Sequence, residues 1–248
     1  MTDTKRPPAK RPDTAKPDPA KAGKAPSHSA PGDIAAFLAE ARAMAPAATV
    51  DGRGRLIFAL DATMSRQPTW DSAMKLQAEM FDEAGKVGGL DVQLIYFRGF
   101  NECRASKWVS ETKGLRDLMT GIDCRGGNTQ IGKVLSHARK ETGKKKVNAL
   151  VFVGDALEEP IDDLAAKAGE LGLLGLRLFL FQEGRDAAVE RGFRELARLS
   201  GGAYAHFDPN AAGQLAQLLR AAAVYAAGGL KALQKSGAGS RLLLEQLR

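Results

Sequence analysis

The chain is poor in cysteine, in histidine and in long apolar runs, and each shortage removes a class of protein. Its 248 residues include two cysteines, Cys103 and Cys124, 21 positions apart and with no Cys-x-x-Cys pair. That is too few for a disulfide framework or a cysteine-ligated zinc site, and two reduced thiols in a cytosolic protein are expected. Nowhere do about 18 apolar residues follow one another, so no membrane span is expected. The most apolar C-terminal piece, from Leu218 to Leu230, is broken by Arg220 and by Gly228-Gly229. The first 30 residues carry Lys, Pro and Ala with no apolar core. A secretory signal is therefore not expected, and a cytoplasmic location is. The three histidines are His28, His137 and His206. None stands in a triad-like pattern with Ser or Cys, so structural or solvated roles are expected for them.

The net charge of +7 suggests nucleic acid until it is partitioned. Residues 1–30 hold Lys5, Arg6, Lys10, Arg11, Lys16, Lys21 and Lys24 against Asp3, Asp13 and Asp18, a balance of +4. The remaining 218 residues carry only +3. The charge belongs mainly to a Pro/Ala/Lys tail whose composition cannot build a core, a solubilising segment rather than a specific nucleic-acid reader.

What the chain does have is a full core complement, 44% hydrophobic, arranged in alternating short elements. Asp33 can cap a short helix in which Ile34, Phe37, Leu38 and Ala41 share a face, and Pro46 stops it. Leu56–Leu60 is a five-residue apolar run, read as a buried parallel strand. A helix is expected over about 69–86, then a strand over 91–97 and an edge strand over 102–109 reached by a hairpin. A short helix around Leu115–Ile122, a helix through Ile131–Ala138, and strands at 147–153, 176–181 and 203–207 follow. Helices are expected over about 161–174, around Val189–Leu199, and over about 211–227. Strands alternating with helices predict a doubly wound, Rossmann-like α/β fold with helices on both faces of a mostly parallel sheet and one antiparallel edge strand. The expected divisions are a basic tail (1–32), a short helix and linker (33–49), the α/β domain (50–227) and a C-terminal extension (228–248).

The first strand runs straight into Asp61, followed by Thr63 and Ser65 at alternate positions. Ligands of open α/β sheets collect beyond the carboxyl ends of such strands. Asp61, Thr63 and Ser65 offer hard oxygen donors of the kind Mg²⁺ and Mn²⁺ prefer. Two later loops add to the pattern: Gly126-Gly127-Asn128-Thr129 before a helix, and Gly154-Asp155 after a strand. Taken in order, these residues resemble the metal-ion-dependent adhesion site of von Willebrand factor A (VWA) domains, in the manner of a bacterial intracellular member. The resemblance spans about residues 50–226. It departs from the family at Thr63, where Ser is commoner, and at Gly154, where Thr often precedes the Asp. It implies that Asp61, Thr63, Ser65, Thr129 and Asp155 hold Mg²⁺ or Mn²⁺, and that a protein partner supplies an Asp or Glu to the ion. Arg66 and Arg125 flank two of the loops and could attract an acidic ligand or simply be solvated.

Other readings of the same stretches are weaker. Gly127–Lys133 matches most of a phosphate-binding loop, but Val134 stands where a hydroxyl is needed and no strand precedes the glycine. A haloacid dehalogenase-type phosphatase would also place an Asp after a first strand, yet Thr63 occupies the position of its second Asp. Glu158 and Glu159 lie close in sequence to the expected metal edge, where acid–base use is conceivable, but a polar loop before Pro160 is the better reading. The expectation is a non-enzymatic protein-binding module. The alternatives are a scaffold with a vestigial metal site and, more remotely, a phosphatase.

Overall fold

The computed structural model describes residues 53–67, 70, 90–110, 121–207, 212–236 and 241–247. The expected tail, the helix at 33–45, nearly all of the helix at 69–86 and most of the one at 115–122 lie outside these residues. Within them the strands are β1 (Gly54–Asp61), β2 (Leu90–Arg98), β3 (Glu102–Ala105), β4 (Ala149–Gly154), β5 (Arg177–Glu183) and β6 (Ala203–Phe207). The helices are α1 (Ile131–Lys144), α2 (Ile161–Leu173), α3 (Ala187–Ser200), α4 (Ala212–Lys235) and α5 (Arg241–Gln246).

The strands form one sheet in the order β3-β2-β1-β4-β5-β6. Only β3 is antiparallel, paired with β2 from Ile95↔Ala105 to Arg98↔Glu102. Both faces are covered, as the continuous apolar run of β1 requires. Leu56, Phe58 and Leu60 pack with Trp70, Leu218, Leu219 and Tyr225 on one face. Ile57 and Ala59 pack with Ile131, Leu135, Leu164 and Phe193 on the other. Because β1 lies between β2 and β4, the winding reverses at its carboxyl end, which opens a crevice there. Asp61 ends β1 and Asp155 directly follows β4, so the sheet itself brings the two acids to that crevice.

Several boundaries move from their expected places for local reasons. β3 stops at Ala105 rather than running to Val109. The Ser106 hydroxyl accepts from the Leu94 N–H at 3.0 Å and so takes the place of a ladder carbonyl. Val109 survives as an isolated bridge to Val92. Trp108 instead lies under Arg55, whose guanidinium is 3.6 Å from the ring centroid, and donates to Glu141 at 2.8 Å. β4 begins at Ala149 because the Asn148 side chain accepts from Arg55 N–H at 3.0 Å. The last long helix does not end at Ala227. It continues to Lys235 through a kink at Gly229, where φ is 66°. Beyond the kink, Leu233 and Leu243 are fully buried in the core shared with β1. The Gln246 amide brackets Tyr204 of β6, accepting from its N–H at 2.7 Å and donating to its carbonyl at 2.6 Å. Leu233, Leu243 and Gln246, all beyond Gly228, are thus packed on the sheet.

Candidate functional site

Asp61 is fully buried at the end of β1. Its Oδ1 accepts from the Thr63 N–H at 2.8 Å, while Oδ2 has no hydrogen-bond partner. Asp155 Oδ1 is likewise buried and unpartnered. Burial pushes the Asp61 carboxyl up to about 6; the hydrogen bonds from Thr63 oppose the rise, the nearby Asp155 charge adds to it, and Arg66 opposes it. Buried carboxylate oxygens without partners are costly, and two of them on acids close enough for the charge of one to raise the other is an arrangement that a cation would relieve.

The expected hydroxyls lie on the adjoining loops. Thr63 Oγ1 and Ser65 Oγ lie 3.1 Å apart in the turn after β1. That turn is stitched to the next loop, because Arg125 N–H donates to the Ala62 carbonyl at 3.0 Å and Thr63 bridges Arg125 in parallel. Thr129 is tied to the loop after β4. Its N–H donates to Glu158 Oε2 at 2.7 Å, its hydroxyl donates to Glu159 Oε2 at 2.6 Å, and the same hydroxyl accepts from Glu158 N–H at 3.0 Å. A hydroxyl with its proton and one lone pair committed keeps one lone pair for another ligand. The three loops, far apart in sequence, therefore form one connected rim.

Glu158 and Glu159, which read in the sequence as a polar loop near the metal edge rather than as parts of the site, touch Thr129 directly. Glu159 also accepts from the Gly132 N–H at 2.8 Å, so it caps the first turn of α1 while holding Thr129. No spacing rule links residue 129 to residue 159, because parallel strands with an intervening helix make that contact. Gly154, one of the two departures from the expected pattern, has a steric cause. A Cβ there would stand 2.7 Å from the Phe152 ring and 3.4 Å from Asp61 Cβ.

The two arginines part company. Arg66 is not solvated. It is fully buried, with Nε 2.9 Å from Glu183 Oε2 at the end of β5. Arg125 is exposed and pairs with Asp123 at 3.1 Å. Both cysteines are free. Cys124 is buried near the acids, and burial pushes its thiol up to about 11, so it is no nucleophile at neutral pH. His137 shares a hydrogen bond with Gln93 at 3.0 Å, and burial pushes its imidazole down. Lys133, the would-be phosphate lysine, bonds Gln130 at 2.8 Å and also the Asn101 side chain.

No family model and no curated protein matches the sequence. Solved structures do match the fold. A VWA protein from Catenulispora acidiphila superposes with a TM-score of 0.58 at 16% identity, over 71% of this chain and 43% of that one. The VWA domain of SpRpn10 gives 0.54 at 13% identity, over 69% of this chain and 94% of that one. The chain has the VWA fold. Among other VWA-type matches, proximal thread matrix protein 1 of the mussel byssus, in a form with a zinc-occupied adhesion-site motif, gives 0.59 at 14% identity over 69% of this chain and 46% of that one. An aerotolerance-related membrane protein from Bacteroides fragilis gives 0.55 at 17% identity over 68% of this chain and 98% of that one. Among the described residues of this chain, no helix is long and apolar enough to cross a membrane.

Proposed function

We propose that this VWA domain is a non-enzymatic module that binds a protein partner through a divalent cation, Mg²⁺ or Mn²⁺, held by Asp61, Thr63, Ser65, Thr129 and Asp155. The observation that carries the reading is the pair of buried, unpartnered carboxylate oxygens on Asp61 and Asp155. Three neutral hydroxyls complete an all-oxygen donor set, the kind hard cations select. Two carboxylates only just neutralise a divalent ion. When bound, such an ion offers a position for an Asp or Glu of the partner, a charge-assisted contact in a partly dry interface. The two free cysteines suit a reducing compartment, and we place the protein in the cytoplasm. The basic tail of residues 1–32 is accessory to this function.

Glu159 serves the same site at one remove. By taking the Thr129 proton it aims the remaining lone pair into the crevice, as outer-shell carboxylates commonly do for metal ligands. Glu159→Gln keeps an acceptor for Gly132 but removes the charge. Calorimetric titration with Mg²⁺ or Mn²⁺ should show affinity falling roughly tenfold to a hundredfold against the wild type. If the wild type binds and Glu159→Gln binds equally well, Thr129 is not a ligand held in this way. If the wild type takes up no cation at millimolar concentration, the reading itself fails.

A further inference from the structure

We infer that the tip of the β2–β3 hairpin, centred on Phe100, is the second half of the partner-docking surface, and that the partner segment is an extended acidic peptide with an apolar side chain about three residues from its metal-bound Asp or Glu. The inference rests on the metal-bridged reading above and names the partner's chemistry.

Phe100 is 81% exposed, an aromatic ring left in water where a solvated turn needs none. Leu173 and Leu174 are also exposed, but they lie where α2 turns into β5, at the opposite end of the strands. Met64, between Thr63 and Ser65, is 53% exposed on the site's own rim. Apolar groups therefore stand on two loops of the crevice end. Aromatic anchors beside adaptable methionine are typical of peptide-binding surfaces.

The hairpin is held rigidly against the metal-edge loop. Gly99 turns the chain with φ +60°, and its carbonyl accepts from Asn128 N–H at 3.3 Å and from the Gln130 amide at 3.1 Å. A Cβ on Gly127 would fall 2.0 Å from that carbonyl oxygen, so only glycine permits the approach. Phe100 and Thr129 each stand one residue from this contact. Their Cα atoms are then on the order of 10 Å apart, which an extended chain covers in about three residues. An anchor already in place loses little entropy on binding.

The charge around the tip favours an acidic partner. An open cleft of about 500 Å³ beside the hairpin is lined by Phe100, Asn101, Cys103, Arg104, Arg125 and Gly126, among others. Arg98 and Arg104 both bond Glu102 and hold its carboxyl down to about 2. Asp123 is paired with Arg98 and Arg125. At the tip itself three arginines thus stand against two compensated acids, with Lys133 adjoining at Asn101, so the excess there is positive, while Glu158 and Glu159 lie at the Thr129 end.

The test is a selection of random twelve-residue display peptides on the full chain in Mg²⁺ buffer. Enriched sequences are then synthesised and titrated against the wild type, Phe100→Ser and Asp61→Asn, with and without chelator. Phe100→Ser removes an exposed ring, and its Mg²⁺ titration checks that the metal edge is intact. Enriched peptides should share an acid and an apolar residue two to four positions apart. Their affinity should fall at least tenfold on Phe100→Ser with unchanged Mg²⁺ affinity, and vanish with chelator. Peptides that bind Phe100→Ser as well as the wild type overturn the hairpin surface, as does enrichment without an apolar position or no enrichment at all. Peptides that need Phe100 but ignore both chelator and Asp61→Asn uphold the hairpin and overturn the metal bridge.

Discussion

Asp61→Asn should make the metal-free protein more stable at pH 7.5, and at the same time abolish its response to Mg²⁺. The Asp61 carboxyl is raised to about 6 in the fold, chiefly by burial, against an ordinary value near 3.8. Well below pH 3.8 it is protonated in both the folded and unfolded chains, and its burial carries no charge penalty. As the pH rises the unfolded chain gives up the proton first, so stability is lost progressively until the folded carboxyl ionises near 6, and the loss persists above that. Two units of pKa correspond to about 3 kcal/mol. The amide escapes that cost and can keep the Thr63 hydrogen bond through its carbonyl oxygen. For a domain of this size, melting should rise by roughly 5–10 °C at pH 7.5 without metal, with little difference at pH 4. The wild type should gain about 2.7 kcal/mol when Mg²⁺ reaches a hundredfold excess over its dissociation constant. The variant should gain nothing. Melting curves at pH 4 and 7.5, each with Mg²⁺ and with chelator, separate the two effects. An Asp61→Asn protein less stable than the wild type at pH 7.5 without metal would show that the buried charge is not the penalty described.

The second large effect is expected at Arg66. Its guanidinium is fully buried, and its partner Glu183 is nearly so. Removing one member of such a pair leaves a charge in a low-dielectric site, which costs about 3–5 kcal/mol, whereas replacing both with apolar groups is often close to neutral. Arg66→Met should therefore lose several kcal/mol in urea unfolding, and Arg66→Met with Glu183→Leu should recover most of it. Arg66 also lies in the turn that carries Thr63 and Ser65, so the single variant should weaken metal binding beyond its effect on stability. A single-variant loss under about 1 kcal/mol would mean that the pair is not the anchor of this turn.

How far the sequence could be read follows from the range of each interaction. β1, β4 and β5 were legible because a strand buried on both faces is a short unbroken apolar run, as Leu56–Leu60 is. The antiparallel β3 was legible from the turn at Gly99–Asn101, but its end was not, because the Ser106 hydroxyl replaces a ladder group. The continuation of α4 through Gly229 was hidden, since Gly228-Gly229 reads as a terminator and only the burial of Leu233 and Leu243 reveals what the kink achieves. At the site, the order of Asp61, Thr63, Ser65, Thr129 and Asp155 was visible because each stands beside a strand end or helix start. The roles of Glu159 and Arg66 were not, because both depend on partners that only the assembled sheet brings near.

The central claim is that one divalent cation sits between Asp61 and Asp155. Electron paramagnetic resonance of free Mn²⁺, titrated into the full chain at pH 7.5, tests it most directly. The wild type should bind close to one Mn²⁺ per chain and release it to excess Mg²⁺, while Asp61→Asn combined with Asp155→Asn should bind none and keep its circular dichroism spectrum. A wild type that leaves Mn²⁺ free at millimolar concentration, or a double variant that binds as much as the wild type, would contradict it.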